Sequence, residues 1–178
     1  MTSAPRLILL GLRTGGKTTL GALAARFLDS AFIDLDHLTA RELNQPSAGD
    51  AIRTLGLVAF RAGEVRALAS PAARSAGVLS LGGGTPTDAG ARELLKTMQL
   101  AGSLLVYLRA SPATLRARMA ITDLAARPSL TGKNPIEEIE QIFAERDPIF
   151  RSVADVTIDV DGMTERTALA SVLATLER

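Results

Sequence analysis

The chain has 178 residues, 47% hydrophobic and 22% charged, which suits one soluble domain over residues 1–178 that buries about two-thirds of its unfolded surface. Its 20 basic and 19 acidic residues leave a net charge of +1, which argues against a bulk nucleic-acid binder. The absence of cysteine excludes disulfides and thiolate metal sites.

The apolar run Leu7-Ile8-Leu9-Leu10 is too short to span a membrane and follows no signal-peptide pattern, so a cytoplasmic protein without a membrane partner is expected. Residues 7–11 read as a buried strand. Residues 17–27 read as a helix, with Leu20, Leu23, Ala24 and Phe27 at helical spacing. A short strand at 31–34 leads into two or more helical stretches between 35 and 70. A third strand, 77–81, ends in Gly82-Gly83-Gly84. Residues 87–97 are expected to be helical, with Asp88 near the start. The apolar run 103–108 is a fourth strand, and Ser111 is placed to cap a helix that Pro112 opens. Residues 121–134 break the pattern and read as a loop. A helix at 135–146, a fifth strand at 156–159 and a closing helix at 164–176 complete the chain. Strands alternating with helices give an α/β fold with a parallel sheet. In such folds ligands bind beyond the carboxyl ends of the strands.

Beyond the first strand stands Gly11-Leu12-Arg13-Thr14-Gly15-Gly16-Lys17-Thr18, which matches GxxxxGK[ST] between a strand and a helix. Glycines let backbone N–H groups turn inward around phosphate oxygens, and the helix N-terminus adds its positive end. Lys17 suits the β- and γ-phosphates and Thr18 suits Mg²⁺. A glycine-rich turn ahead of a helix is the plain alternative, but strand, lysine and threonine together favour a nucleoside triphosphate, ATP first. The motif leaves the acceptor open. No Asn-Lys-x-Asp sequence is present to read guanine.

Asp34-Leu35-Asp36 follows the second strand. One carboxylate suits a metal and the other an acceptor hydroxyl, whose proton it can take; a helix N-cap is the competing role for either. Arg61 and Glu64 share a helix face, where the bland reading is a surface ion pair. Gly82-Gly83-Gly84 lets a ligand approach the backbone closely. Arg127-Pro128 lies in the irregular loop. Arg146, expected at a helix end, and Arg118, on a helix with Arg116, each have a structural role open to them. His37 reads as a surface residue at a helix start.

Taken in order, the P-loop, Asp-x-Asp after strand two, Phe60-Arg61-x-x-Glu64, Gly82-Gly83-Gly84, Arg127-Pro128 and Arg146-x-Pro148 resemble the shikimate kinase family over nearly the whole chain. Leu79-Ser80-Leu81-Gly82-Gly83-Gly84 is similar to its third-strand signature, and Arg127-Pro128-Ser129-Leu130 to its lid. The resemblance implies a P-loop kinase, an NMP-kinase-like three-layer fold with a five-stranded parallel sheet flanked by helices. It implies an acceptor-binding helical segment at about 35–70 and a lid loop at about 120–134. The activity implied is phosphorylation of the 3-hydroxyl of shikimate by Mg-ATP, in a monomer. By motif match, Gly11, Thr14, Gly15, Gly16, Lys17, Thr18 and Thr19 contact the nucleotide. Arg127 reaches the phosphates, and Arg118 and Pro128 lie near the adenine. Asp34 acts on Mg²⁺ through water. Asp36 contacts the shikimate hydroxyls, Arg61 and Arg146 grip its carboxylate, and Gly82, Gly83 and Gly84 line that side. Glu64 orients Arg61. The catalytic residues implied are Lys17, Asp36 and Arg127. Two departures stand out: Thr14 occupies a family glycine position, and Leu57-Val58-Ala59 is apolar where the family is polar. The rival readings are a related carboxylated-polyol kinase, such as a gluconate kinase, and a catalytically silent regulator that binds shikimate and nucleotide.

Overall fold

The structure, a computed structural model, describes residues 5–121, 136 and 138–177. Five strands, β1 (Leu7–Leu10), β2 (Phe32–Asp34), β3 (Val78–Ser80), β4 (Leu104–Arg109) and β5 (Val156–Asp159), form one sheet. The order is β2-β3-β1-β4-β5 and every pairing is parallel. β1 and β3 are buried at every position, because helices cover the sheet. The register sets Leu7 beside both Val78 and Leu104, and Asp34 beside Ser80. All carboxyl ends therefore point one way, and the loops that follow them share one rim.

α1 (Lys17–Phe27) has the bounds its periodicity predicts. α2 (Leu35–Glu42) starts at Asp34, whose Oδ1 accepts from the Asp36 N–H at 3.0 Å. α3 (Ala48–Ala69) is capped by Ser47 and interrupted at Gly56, which has φ +83°. α4 (Pro71–Ser75) is short. A 3₁₀ turn over Thr85–Thr87 precedes α5 (Ala89–Leu100), which Asp88 caps. α6 (Pro112–Ala120) is capped by Ser111 with Pro112 first, as expected. α7 (Ile139–Val153) and α8 (Glu165–Ala174) follow. α1 packs on β3 and against α8, while α7 packs on β4 and beside α6. The core is aliphatic apart from Tyr107 and Phe150, which meet edge to face at 5.3 Å. No helix among the described residues is long and apolar enough to cross a membrane.

One helix end differs from its expectation: the helix expected at 135–146 is α7, which runs on through Pro148 to Val153. A proline inside a helix costs about 3 kcal/mol, but stopping at Arg146 would withdraw Phe150, now fully buried against Tyr107; an aromatic side chain gains a comparable amount on burial. Within the apolar stretch at 57–59, Val58 is 86% exposed just past the Gly56 break. The loop at 122–134, with Arg127 and Pro128, lies outside the described residues.

Candidate active site

The phosphate loop leaves β1 at Gly11 and closes at Gly16, the N-cap of α1. Gly11 has φ +155°, and a side chain there would come within 2.7 Å of the Leu108 carbonyl of β4. That close approach is what the first glycine is for. No side chain caps α1 and no acidic residue stands in its first turn, so its amides face the loop interior as an anion site requires. Lys17, buried, folds back to donate from Nζ to the Leu12 carbonyl at 3.0 Å. Thr14 carries φ +60°, the left-handed region that a β-branched residue rarely enters. Its hydroxyl donates to the Leu115 carbonyl of α6 at 3.3 Å, and Arg118 of α6 donates to the Thr14 carbonyl at 3.4 Å.

Thr18 and Asp34 meet at the loop's exit, where the hydroxyl donates to Asp34 Oδ2 at 2.7 Å. Asp34 therefore caps α2 with one oxygen, the competing role, and holds Thr18 with the other. Hydroxyl and carboxylate oxygens are the hard ligands Mg²⁺ takes. Among the described residues no cluster of three or more His, Cys, Asp or Glu is arranged to hold a metal alone.

The acceptor side is one cleft of about 450 Å³, lined by Arg13, Lys17, Thr18, Asp34, Asp36, Arg61, Gly83, Gly84 and Arg146. Asp36 is half-buried in it; burial, then Glu64 and Asp34, push its carboxyl up to about 6, against the pull of Lys17 and Arg61. The Arg61–Glu64 contact is not the surface ion pair that spacing allows, for Glu64 is 1% exposed. Its Oε1 also accepts from the buried Thr85 hydroxyl at 2.7 Å, so Glu64 is fixed from two sides. Arg146 lies inside α7 rather than at its end, so it answers no helix dipole. Its Nη1 donates to the Gly83 carbonyl at 2.7 Å. Burial, then Arg61 and Arg13, push Arg146 down to about 10.

The three glycines are packed against this machinery. A Cβ on Gly82 would fall on Glu64 Oε1 and within 2.5 Å of Asp36 Oδ1, and one on Gly84 would overlap the Arg61 guanidinium. Lys17, Thr18, Asp34, Asp36, Arg61, Gly83, Gly84 and Arg146 are thus brought to one cleft, with Glu64 behind Arg61. Gly82 is buried beneath it. Thr14, Gly16, Thr19 and Arg118 face a groove of about 340 Å³ on the loop's other flank, and Gly11 and Gly15 are buried in the loop itself. His37 is exposed at the start of α2.

A family model described as shikimate kinase matches residues 13–177. This chain belongs to the shikimate kinase family. It is 36% identical to the shikimate kinase of Oleidesulfovibrio alaskensis over 155 residues, 86% of this chain and 87% of that protein. It is also 36% identical to the shikimate kinase of Thiobacillus denitrificans, over 92% and 88% of the two chains. Among solved structures, that of the Acinetobacter baumannii shikimate kinase in complex with shikimate aligns with a TM-score of 0.85 and 31% identity, over 99% of this chain and 94% of that one.

Two features of this shikimate kinase family member escape a reading of the sequence. A pocket of about 250 Å³ opens beside the phosphate loop, walled by Leu20, Arg118, Val160, Met163 and Ala168. The available signal is position alone, since Val160 to Met163 follow the carboxyl end of β5. The second is Arg13, which the phosphate-loop pattern leaves unspecified and which lines the acceptor cleft.

Proposed function

We propose that this chain transfers the γ-phosphoryl group of ATP to the 3-hydroxyl of shikimate, giving shikimate 3-phosphate and ADP. The observation that carries the reading is the cleft itself. A carboxylate, Asp36, lines the same cleft as Lys17 and Thr18 of the phosphate loop and two guanidiniums, Arg61 and Arg146. Shikimate offers hydroxyls to the first and a carboxylate to the others, and planar guanidinium forks suit a carboxylate. The similar A. baumannii structure, a complex with shikimate, supports the same acceptor.

In this reading Asp36 accepts the proton of the 3-hydroxyl as that oxygen bonds to the γ-phosphorus. The bond from the γ-phosphorus to the β–γ bridging oxygen breaks, and ADP leaves with the electron pair. A carboxyl pushed up to about 6 is a stronger base than an ordinary aspartate, yet still ionised at neutral pH. Lys17 turns from the Leu12 carbonyl to the β- and γ-phosphates. Thr18 would hold Mg²⁺, with Asp34 acting on it through water, and the ion would supply charge neutralisation at the phosphates. The loop amides of Gly11, Thr14, Gly15 and Gly16 and the start of α1 at Thr18 and Thr19 bind the phosphates. Arg118 lies over the base in the pocket of Val160 and Met163, as a guanidinium stacks on an aromatic face. By family resemblance Arg127 reaches the phosphates and Pro128 borders the base. Glu64 keeps Arg61 in line, and Gly82, Gly83 and Gly84 let the acceptor lie against backbone. The chain acts as a monomer in the cytoplasm, with the whole cleft built from its own residues.

The test is an ADP-release assay with Mg-ATP and a panel of carboxylated polyols. ADP formation that requires both shikimate and Mg²⁺ is expected, with Lys17→Ala inactive. Turnover with gluconate but not shikimate would overturn the acceptor. Shikimate binding without any ADP release would make the chain a silent binder.

A further inference from the structure

Arg13 stands at the third position of the phosphate loop, a position the motif leaves unspecified. It lines the acceptor cleft with Arg61 and Arg146 and pairs with Glu138 at 3.7 Å, the two side chains being 23% and 1% exposed. Its backbone nitrogen abuts Gly83: a Cβ on that glycine would come within 3.1 Å of it. Gly83 is also the residue whose carbonyl receives Arg146. The Arg13 backbone and the Arg146 guanidinium therefore both meet the Gly83 turn.

The three guanidiniums are held in different ways. Arg61 has the buried Glu64, and Arg13 has the buried Glu138. Arg146 donates to a neutral carbonyl, and among the described residues no carboxylate lies within ion-pair range of it. Both Arg61 and Arg13 repel its charge. Three like charges around one small cleft repel each other, and an anion seated among them turns that repulsion into attraction. A guanidinium carries five N–H donors, so holding Glu138 is compatible with holding a second anion.

We propose that Arg13 is a specificity-determining residue of the acceptor site, a third guanidinium that binds the acceptor's carboxylate alongside Arg61 and Arg146. Glu138 is its positioning residue. The proposal rests on the shikimate reading above and adds a contact to it. It distinguishes Arg13 from the rest of the phosphate loop, whose groups serve the nucleotide.

The experiment compares the unaltered chain with Arg13→Ala, Arg13→Lys and Glu138→Gln. Shikimate and its methyl ester are the acceptors. A charge-assisted hydrogen bond lost to the carboxylate raises the shikimate KM about tenfold or more in Arg13→Ala, with the KM for ATP moving far less. The ester, which lacks the negative charge, shows little difference between the two proteins. Arg13→Lys keeps the charge without the fork and falls between them; Glu138→Gln moves KM in the same direction by less. An ATP KM that rises as much as that of shikimate, or equal losses for acid and ester, overturns the proposal. Direct titration with shikimate in the absence of nucleotide separates the two readings. If the unaltered chain binds shikimate, Arg13→Ala must bind it about tenfold more weakly whether or not turnover is seen. If the unaltered chain neither binds nor phosphorylates shikimate, the acceptor reading fails and takes this proposal with it.

Discussion

Asp36 is the residue whose surroundings do most to set its chemistry. Burial, Glu64 and Asp34 together outweigh Lys17 and Arg61 and leave its carboxyl near 6. Because the folded chain holds this proton more tightly than the unfolded one, the stability it contributes is full below the ordinary value of 3.8. That contribution is lost as pH rises through about 6. At neutral pH the charged form is a liability to the fold, of roughly 3 kcal/mol. Asp36→Asn is therefore expected to abolish turnover and to raise the melting temperature at pH 7.5; a lowered melting temperature would contradict the assignment. For the unaltered chain, kcat/KM for shikimate should fall about tenfold per pH unit below about 6. A profile flat down to pH 5 would remove Asp36 as the base. The sequence makes Asp36 a candidate through its place after strand two, but not the sign of its shift, which comes first from burial and then from Glu64 on another helix.

The phosphate loop and the glycine run each carry a prediction at the scale of an element. Thr14 sits in a left-handed conformation that costs a non-glycine residue about 1–2 kcal/mol. Thr14→Gly removes that strain, partly offset by glycine's greater freedom in the unfolded chain. A net gain of about 1 kcal/mol corresponds to a melting temperature higher by about 2–4 °C. A decrease would mean that the hydroxyl's bond to the Leu115 carbonyl of α6 outweighs the strain. Gly84→Ala works the other way. Its methyl group would overlap the Arg61 guanidinium, so the shikimate KM should rise at least tenfold while the ATP KM stays nearly constant. Parallel losses for both substrates would place the damage in the fold instead.

Element by element, legibility followed how locally each boundary was decided. α1 was legible to the residue, because Lys17 to Phe27 has helical spacing and a glycine just before it. The start and end of α7 were not: a proline two residues past Arg146 reads as a stop, and only the seat of Phe150 beside Tyr107 carries the helix through it. The same held within the site. The phosphate loop and Asp34-Leu35-Asp36 announce themselves by spacing. Val160 and Met163 have no motif, and the partnership of Arg13 with Glu138 spans more than a hundred residues of chain, about the reach at which local pattern says nothing.

Across the whole molecule, one carboxylate ties the sheet to the helix that bears Arg146. Asp147 accepts from the Tyr107 hydroxyl at 2.9 Å, from Arg109 Nε at 2.8 Å and from Arg151 Nε at 2.9 Å. Arg109 reaches on to Asp159 of β5 at 2.9 Å and lies over the Phe143 ring. Burial raises the Asp147 carboxyl, but the bonds from Arg151, Arg109 and Tyr107 outweigh it and hold it below the ordinary range. Its stability contribution therefore has the opposite sign of pH dependence to that of Asp36: it is present above the ordinary carboxylate value and is lost in acid. Asp147→Ala strands three donors at once. A loss of about 2–3 kcal/mol is expected, a melting temperature lower by several degrees. The neighbouring Arg146 should loosen with it, raising the shikimate KM. A variant as stable as the parent would show the network to be ornamental.

The place of β1 in the middle of the sheet has a consequence for how the chain is made. Leu7 leaves the ribosome early, but its partners Val78 and Leu104 follow about 70 and about 100 residues later, a separation typical of slowly folding parallel sheets. At ordinary rates of synthesis that is a wait of about 5–20 s. Until β3 emerges the most apolar strand of the chain, Leu7-Ile8-Leu9-Leu10, has both of its edges open, and one stays open until β4 follows. The strand around which the finished sheet is built thus waits for partners made long after it, so the nascent chain depends on whatever shields that tetrapeptide until β4 emerges.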